Sequence, residues 1–108
     1  MGTFTYDRVS VDFDDRLLAH LEIVIVQKLR RQESFLMTWQ DEMGMAGGRS
    51  GIWLHPAAMI HFHFAGNEKV VIDHDWVAIL MISANSAMGL FVTDDAGEAL
   101  HPSQAAVV

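Results

Sequence analysis

Three histidines stand close together in the chain, His55, His61 and His63, and three neutral imidazoles make a ligand set for zinc. His61 and His63 are two residues apart, so on a strand they share one face, and His55 can reach that face from a neighbouring strand. Zinc is therefore the metal to consider here. A working site also needs hydrogen-bond partners that orient each ring, and no carboxylate is placed in sequence to do so. Ordinary polar sheet positions account for the three histidines more simply, and no cofactor is expected. His74 lies between Asp73 and Asp75 and has the look of an acid–base or metal cluster, but at a helix start those carboxylates are explained as cap and dipole partners.

Two further groups could meet an anion. The glycine-rich MGMAGGRSG, Met43 to Gly51, places backbone N–H groups beside Arg49. A phosphate cradle, however, needs a strand before it, a helix after it and a lysine within it, so a hairpin loop is the expectation. Lys28, Arg30 and Arg31, with Arg49 added, form the one local positive cluster and are the candidate anion-binding residues. Basic side chains in a last helical turn are also favoured by the helix dipole alone. No nucleophile elbow, no paired glycosidase carboxylates and no zinc-protease helix motif stands out, so catalytic residues are not assigned.

These side chains depend on the elements that carry them, and the chief one is Asp14 to Arg31, DDRLLAHLEIVIVQKLRR. Leu17, Leu18, Leu21, Val24, Ile25 and Leu29 fall within one arc of a 3.6-residue wheel, Asp14 and Asp15 suit the first turn, and Lys28, Arg30 and Arg31 suit the last. Residues 2–6 and 9–13 alternate apolar and polar around Asp7-Arg8, which predicts a hairpin. Further strands are expected at 34–40, 52–55 and 59–65, with Pro56 ending the fourth. A second helix is expected from Asp73 to about Ala87 with Trp76, Val77, Leu80, Ala84 and Ala87 inward, and a last strand at 90–93. The predicted order is β-β-α-β-β-β-α-β, an α+β two-layer sandwich with two helices on one face of a mainly antiparallel sheet. The opposite face would then carry Thr3, Thr5, Ser10, Asp12, Thr38, Gln40, Trp53, His55, His61 and His63 as an open surface.

In a chain of 108 residues, 51% apolar, there is enough apolar material for one core without metal or disulfide staples. A single domain over residues 1–93 is expected, followed by a loose tail over 94–108. The absence of cysteine excludes a disulfide framework and thiol chemistry and fits a reducing compartment, so the cytoplasm is the expected location. No basic segment with an apolar run and a small-residue cleavage site is read at the start, so a secretory signal is not expected. Residues 76–93 carry no charge, but Ser83, Asn85, Ser86 and Gly89 interrupt them, and no membrane span is expected. A formal charge of −7 argues against nucleic acid as a direct partner, since a phosphate backbone would be repelled.

Three sets of residues together carry a resemblance: GTFTYD at 2–7; FDDRLLAHLEIVIVQKLRRQESF at 13–35; and GRSGIWLHP at 48–56 with ANSAMGL at 84–90. The chain resembles a family of small uncharacterised actinobacterial proteins commonly labelled ATP-dependent DNA ligase. The resemblance supplies no catalytic residues to carry over. Ligation chemistry needs a nucleophilic lysine, usually in Lys-x-Asp-Gly, with metal-binding carboxylates and a large nucleotide cleft. The two lysines, Lys28 in KLRR and Lys69 in KVVI, match no such motif, so no covalent adenylate is expected.

Beyond its core arc, the first helix carries a second apolar ridge, Ala19, Ile23 and Val26, and the second helix carries Ile79 and Ile82 outside its core stripe. One sheet cannot cover both sides of each helix. These five residues are the expected interface of a homodimer or other closed oligomer, unless the two ridges cover each other or Ala105 to Val108 folds over them. The expected function is a non-catalytic, self-associating interaction module, tied by the resemblance to DNA repair. The alternative is a small-ligand or metal-dependent enzyme using the histidine-bearing sheet face.

Overall fold

The computed structural model describes residues 1–40 and 48–97. Most of the glycine-rich loop and the end of the tail, including Ala105 to Val108, lie outside the described residues. The chain forms β1 (Gly2–Tyr6), β2 (Val9–Phe13), α1 (Asp15–Arg30), β3 (Phe35–Gln40), β4 (Arg49–Leu54), β5 (Ile60–His63), α2 (His74–Ala84) and β6 (Leu90–Phe91). This is a compact α+β fold with the expected element order.

The strands divide between two three-stranded sheets, ordered β2-β1-β5 and β4-β3-β6, where one sheet was the simplest expectation. The change of sheet falls at Pro56. Without an N–H it cannot continue the ladder of β4, and the Ala58 N–H closes a turn onto the His55 carbonyl at 3.1 Å. Pairing with β1 then sets Phe62 opposite Phe4 and His61 opposite Thr5, which puts the apolar side of β5 inward. β3 pairs antiparallel with β4 and parallel with β6.

One core joins the two sheets to the helices. Phe4 and Phe13 from the first sheet meet Met37, Trp39 and Leu54 from the second, with Phe13 edge-on to Trp39 at 6.1 Å between ring centres. From α1 come Leu17, Leu18, Leu21, Val24 and Ile25, while Leu29 is half-buried; from α2 come Trp76, Leu80 and Ala84. Ala87, expected on the stripe of α2, is exposed because the helix stops at Ala84.

The helix ends explain that stop and the frame around it. Asp14 accepts the Arg16 N–H, and Asp73 accepts the N–H groups of Asp75 and Trp76. Gly89 carries φ +85, and a Cβ there would sit 2.4 Å from the Leu36 carbonyl oxygen. Only glycine fits both the left-handed backbone and the close approach of β6 to β3. After α1, Gln32 takes φ 61 while the Glu33 N–H reaches back to the Lys28 carbonyl and the Gln32 N–H to that of Leu29, a Schellman cap closed without glycine.

Beyond β6, residues 94–97 form a turn pinned to α1 by an Arg16–Asp95 ion pair at 3.1 Å. No helix among the described residues is long and apolar enough to cross a membrane.

Candidate functional site

The two helices lie side by side and run in the same direction, because the start of α1 meets the start of α2 and the two ends meet likewise. At the start, the His20 ring lies 4.4 Å from the Trp76 ring and the Arg16 guanidinium 4.9 Å over it. At the end, Lys28 Nζ donates to Asn85 Oδ1 at 2.9 Å. His20 is fully buried and has a partner on each nitrogen. The Arg16 carbonyl can only accept, so Nδ1–H donates to it at 2.6 Å, and Nε2 accepts the Asp73 N–H at 2.8 Å. These partners define a neutral ring with its proton on Nδ1. Through Asp73 the ring anchors the residue that caps α2.

The candidate anion cluster is divided by this packing. Lys28 is buried, pairs with Glu33 at 2.9 Å and lies 5.8 Å from the centre of the Phe35 ring. Its ammonium holds the Glu33 carboxyl below the usual carboxylate range. It serves to join α1, its cap and the end of α2. Arg30 and Arg31 are exposed at the end of α1. Arg49 pairs with Gln40 at the far end of β3, about 16 Å of strand from Phe35 at 3.3 Å per residue. The structure therefore keeps Arg30 with Arg31 and separates them from Lys28 and Arg49.

The histidines are divided too. His61 and His63 point outward from the first sheet, opposite Thr5 and Thr3, with ring centres 6.4 Å apart. His55 follows β4 and sets its ring edge-on to Tyr6 at 6.1 Å, and Tyr6 belongs to the opposite side of β1 from Thr3 and Thr5. Among the described residues no group of three His, Cys, Asp or Glu side chains is placed to hold a metal ion. His74 is an exposed first residue of α2, and Asp73 beside it is the cap. The polar surface expected as one face is thus two. Thr3, Thr5, Ser10, Asp12, His61 and His63 line the first sheet, and Thr38, Gln40 and Trp53 line the second.

The outer side of the helix layer remains. The second ridge of α1 is partly covered by its own chain, since Ala19 and Ile23 line a groove whose other wall is Phe64, Gly66, Val70 and Ile72. Ala19 is only 8% exposed there and belongs to the monomer, contrary to its expected place in an interface. Ile23 is half-buried and Val26 is 39% exposed. On α2, Ile79 is half-buried and Ile82 is 72% exposed. An open groove of about 320 Å³ flanks α1, lined by Val26, Leu29, Arg30, Ala58, Ile60 and Phe62. The inward alternation of β5 marked Ile60 and Phe62 as apolar, but only the pairing of β5 with β1 brings them beside α1. Met88, 73% exposed after α2, adds apolar surface that no periodicity indicated.

Comparison with curated proteins and with solved structures finds no match. A family model described as a domain of unknown function, DUF7882, matches residues 1–95. The chain belongs to that family.

Proposed function

We propose that this chain is a non-catalytic module that works by self-association, its outer helix face forming the contact. One observation carries the reading: Val26 and Ile82 stand 39% and 72% exposed on the sides of α1 and α2 turned away from the core. Neighbouring ionisable groups such as His20 and Lys28 are engaged in holding the helices together. Burying a large aliphatic side chain is worth roughly 1.5–3 kcal/mol, set against an association cost of about 4–15 kcal/mol. With Ile23, Ile79 and Met88 contributing, the balance supports a reversible pair held at micromolar concentration. The setting proposed is an intracellular assembly serving DNA repair, for which the support is the ligase label of the proteins this chain resembles. A charge of −7 favours reaching DNA through a protein partner over gripping phosphate directly.

Light scattering of the full chain across a concentration series tests the reading. The expected result is a dimer at tens of micromolar, with Ile82→Lys weakening association roughly tenfold, about 1.4 kcal/mol, while circular dichroism shows an unchanged fold. A wild type that stays monomeric throughout the series would overturn it.

A further inference from the structure

The outer row of α1 is self-complementary. Glu22, Val26 and Arg30 follow one another at i, i+4 and i+8, the row that interdigitates in the commonest helix-packing class. Val26 stands at its centre, with a carboxylate four residues before and a guanidinium four residues after. The apolar neighbours repeat the symmetry, Ile23 three residues before Val26 and Leu29 three after. These residues line the open surface on this side of the helix, with Gln27 and Arg31 beside them. Among the described residues, neither Glu22 nor Arg30 has an ion-pair or hydrogen-bond partner in its own chain.

From this pattern we infer that two copies pair through antiparallel α1 helices about a two-fold axis beside Val26. The inference rests on the self-association proposed above and names its partner and geometry. An antiparallel two-fold sets each position of the row against the position equally far on the other side of the axis. Glu22 of one copy then lies beside Arg30 of the other, twice per dimer, and Val26 lies beside its own equivalent. A parallel arrangement would instead bring Glu22 against Glu22 and Arg30 against Arg30. Charge also selects the occupant. Two copies each carrying −7 repel over most of their surfaces, and the helix face offers matched opposite charges where they would meet. Of the seven basic residues in the chain, Arg16 and Lys28 are already paired internally, whereas Arg30 is exposed on this row.

Charge exchange tests the geometry with the whole chain. Glu22→Arg places an arginine against the partner's Arg30 at both contacts, and Arg30→Glu places two carboxylates together. Each single variant is expected to raise the dimer dissociation constant at least tenfold in sedimentation or light scattering. The double variant Glu22→Arg, Arg30→Glu re-forms both pairs and is expected to return to within about threefold of wild type. A second readout uses the absence of cysteine. Val26→Cys should cross-link as a homodimer under mild oxidation, and Val71→Cys, exposed on the connector before α2, should not. A dimeric wild type whose single variants are unaffected, or whose double variant is no tighter than the singles, would overturn this arrangement while leaving self-association standing. A monomeric wild type would overturn both.

Discussion

The two flanks of α1 use the same chemistry to opposite ends. On the flank facing α2, His20 and Lys28 are buried; Nδ1 of His20 is held by the Arg16 carbonyl of its own helix, while Nε2 and the ammonium of Lys28 meet partners from other segments. On the outer flank, Glu22 is half-buried and Arg30 exposed, and neither is engaged within its chain among the described residues. Charge in a sequence marks a residue that must be satisfied by something. Whether that is its own chain, solvent or a partner depends on where the helix turns it, and a shift of two residues, from Lys28 to Arg30, moves a cation from a buried, paired position to an exposed one.

The largest expected effect comes from emptying the inner flank. His20→Ala leaves the Asp73 N–H without its partner and opens a cavity against Trp76, while the Arg16 carbonyl keeps only its helical N–H. An unsatisfied buried polar group costs about 1–3 kcal/mol and the lost packing adds to it, so a loss of about 3–4 kcal/mol is expected in urea unfolding. A loss below about 1 kcal/mol would mean that the ring does not anchor α2, and the contrast between flanks would fail.

A matched pair sharpens the contrast. Lys28→Met keeps the aliphatic stem and removes the ammonium that reaches Asn85 and Glu33; its expected cost is about 1.5–3 kcal/mol, the usual worth of a hydrogen bond to a charged group. Arg30→Met, on the exposed flank, is expected to change unfolding of the monomer by less than about 0.5 kcal/mol. Unfolding midpoints at low protein concentration, below that at which the proposed dimer would form, make the comparison. Equal losses, or a larger one at Arg30, would contradict the division.

Much of this was legible in the chain itself. The core arc of α1, the caps Asp14 and Asp73 and the β1–β2 hairpin are local patterns, set by residues within a few positions of one another. The division into two sheets was not, because pairing β5 with β1 instead of β4 is decided by which strand completes the core beside Phe4 and Phe62. His20 was passed over for a related reason. A lone histidine on a helix shows no pattern, and its role appears only when Asp73, 53 residues away, returns to meet it. The same folding back explains Ala19, which belongs to an exposed ridge on a helical wheel until Phe64 and Ile72 line its other side. The Glu22–Val26–Arg30 row was passed over in favour of the apolar ridge Ala19, Ile23 and Val26, and it acquires meaning only once the helix is known to keep that side outward.

Asp14 and Asp15 extend the comparison to the first turn, with a smaller expected effect than either buried side chain. Asp14 caps its own helix through the Arg16 N–H, whereas Asp15 reaches across to accept the Ala65 and Gly66 N–H groups at 3.2 and 2.9 Å. Asp15 thereby ties the end of β5 to α1. Burial pushes its carboxyl upward, but the Gly66 and Ala65 hydrogen bonds and the N-terminal ammonium outweigh burial and hold it below the ordinary value of 3.8. A depressed carboxyl contributes stability that is complete above its unfolded-state value and is lost as pH falls through its folded-state value. Asp15→Asn keeps one acceptor oxygen and loses the charge, so a deficit of about 1 kcal/mol is expected near pH 7. As the pH falls below 3.8 and through its lower folded-state value, the wild-type carboxyl takes up its proton and gives up the same advantage, so the two melting curves should draw together in acid. Melting temperatures of both proteins from about pH 7 to about pH 2 measure the difference. A gap that persists undiminished in acid, or none near neutrality, would show that the charge of Asp15 does not hold β5 to the helix.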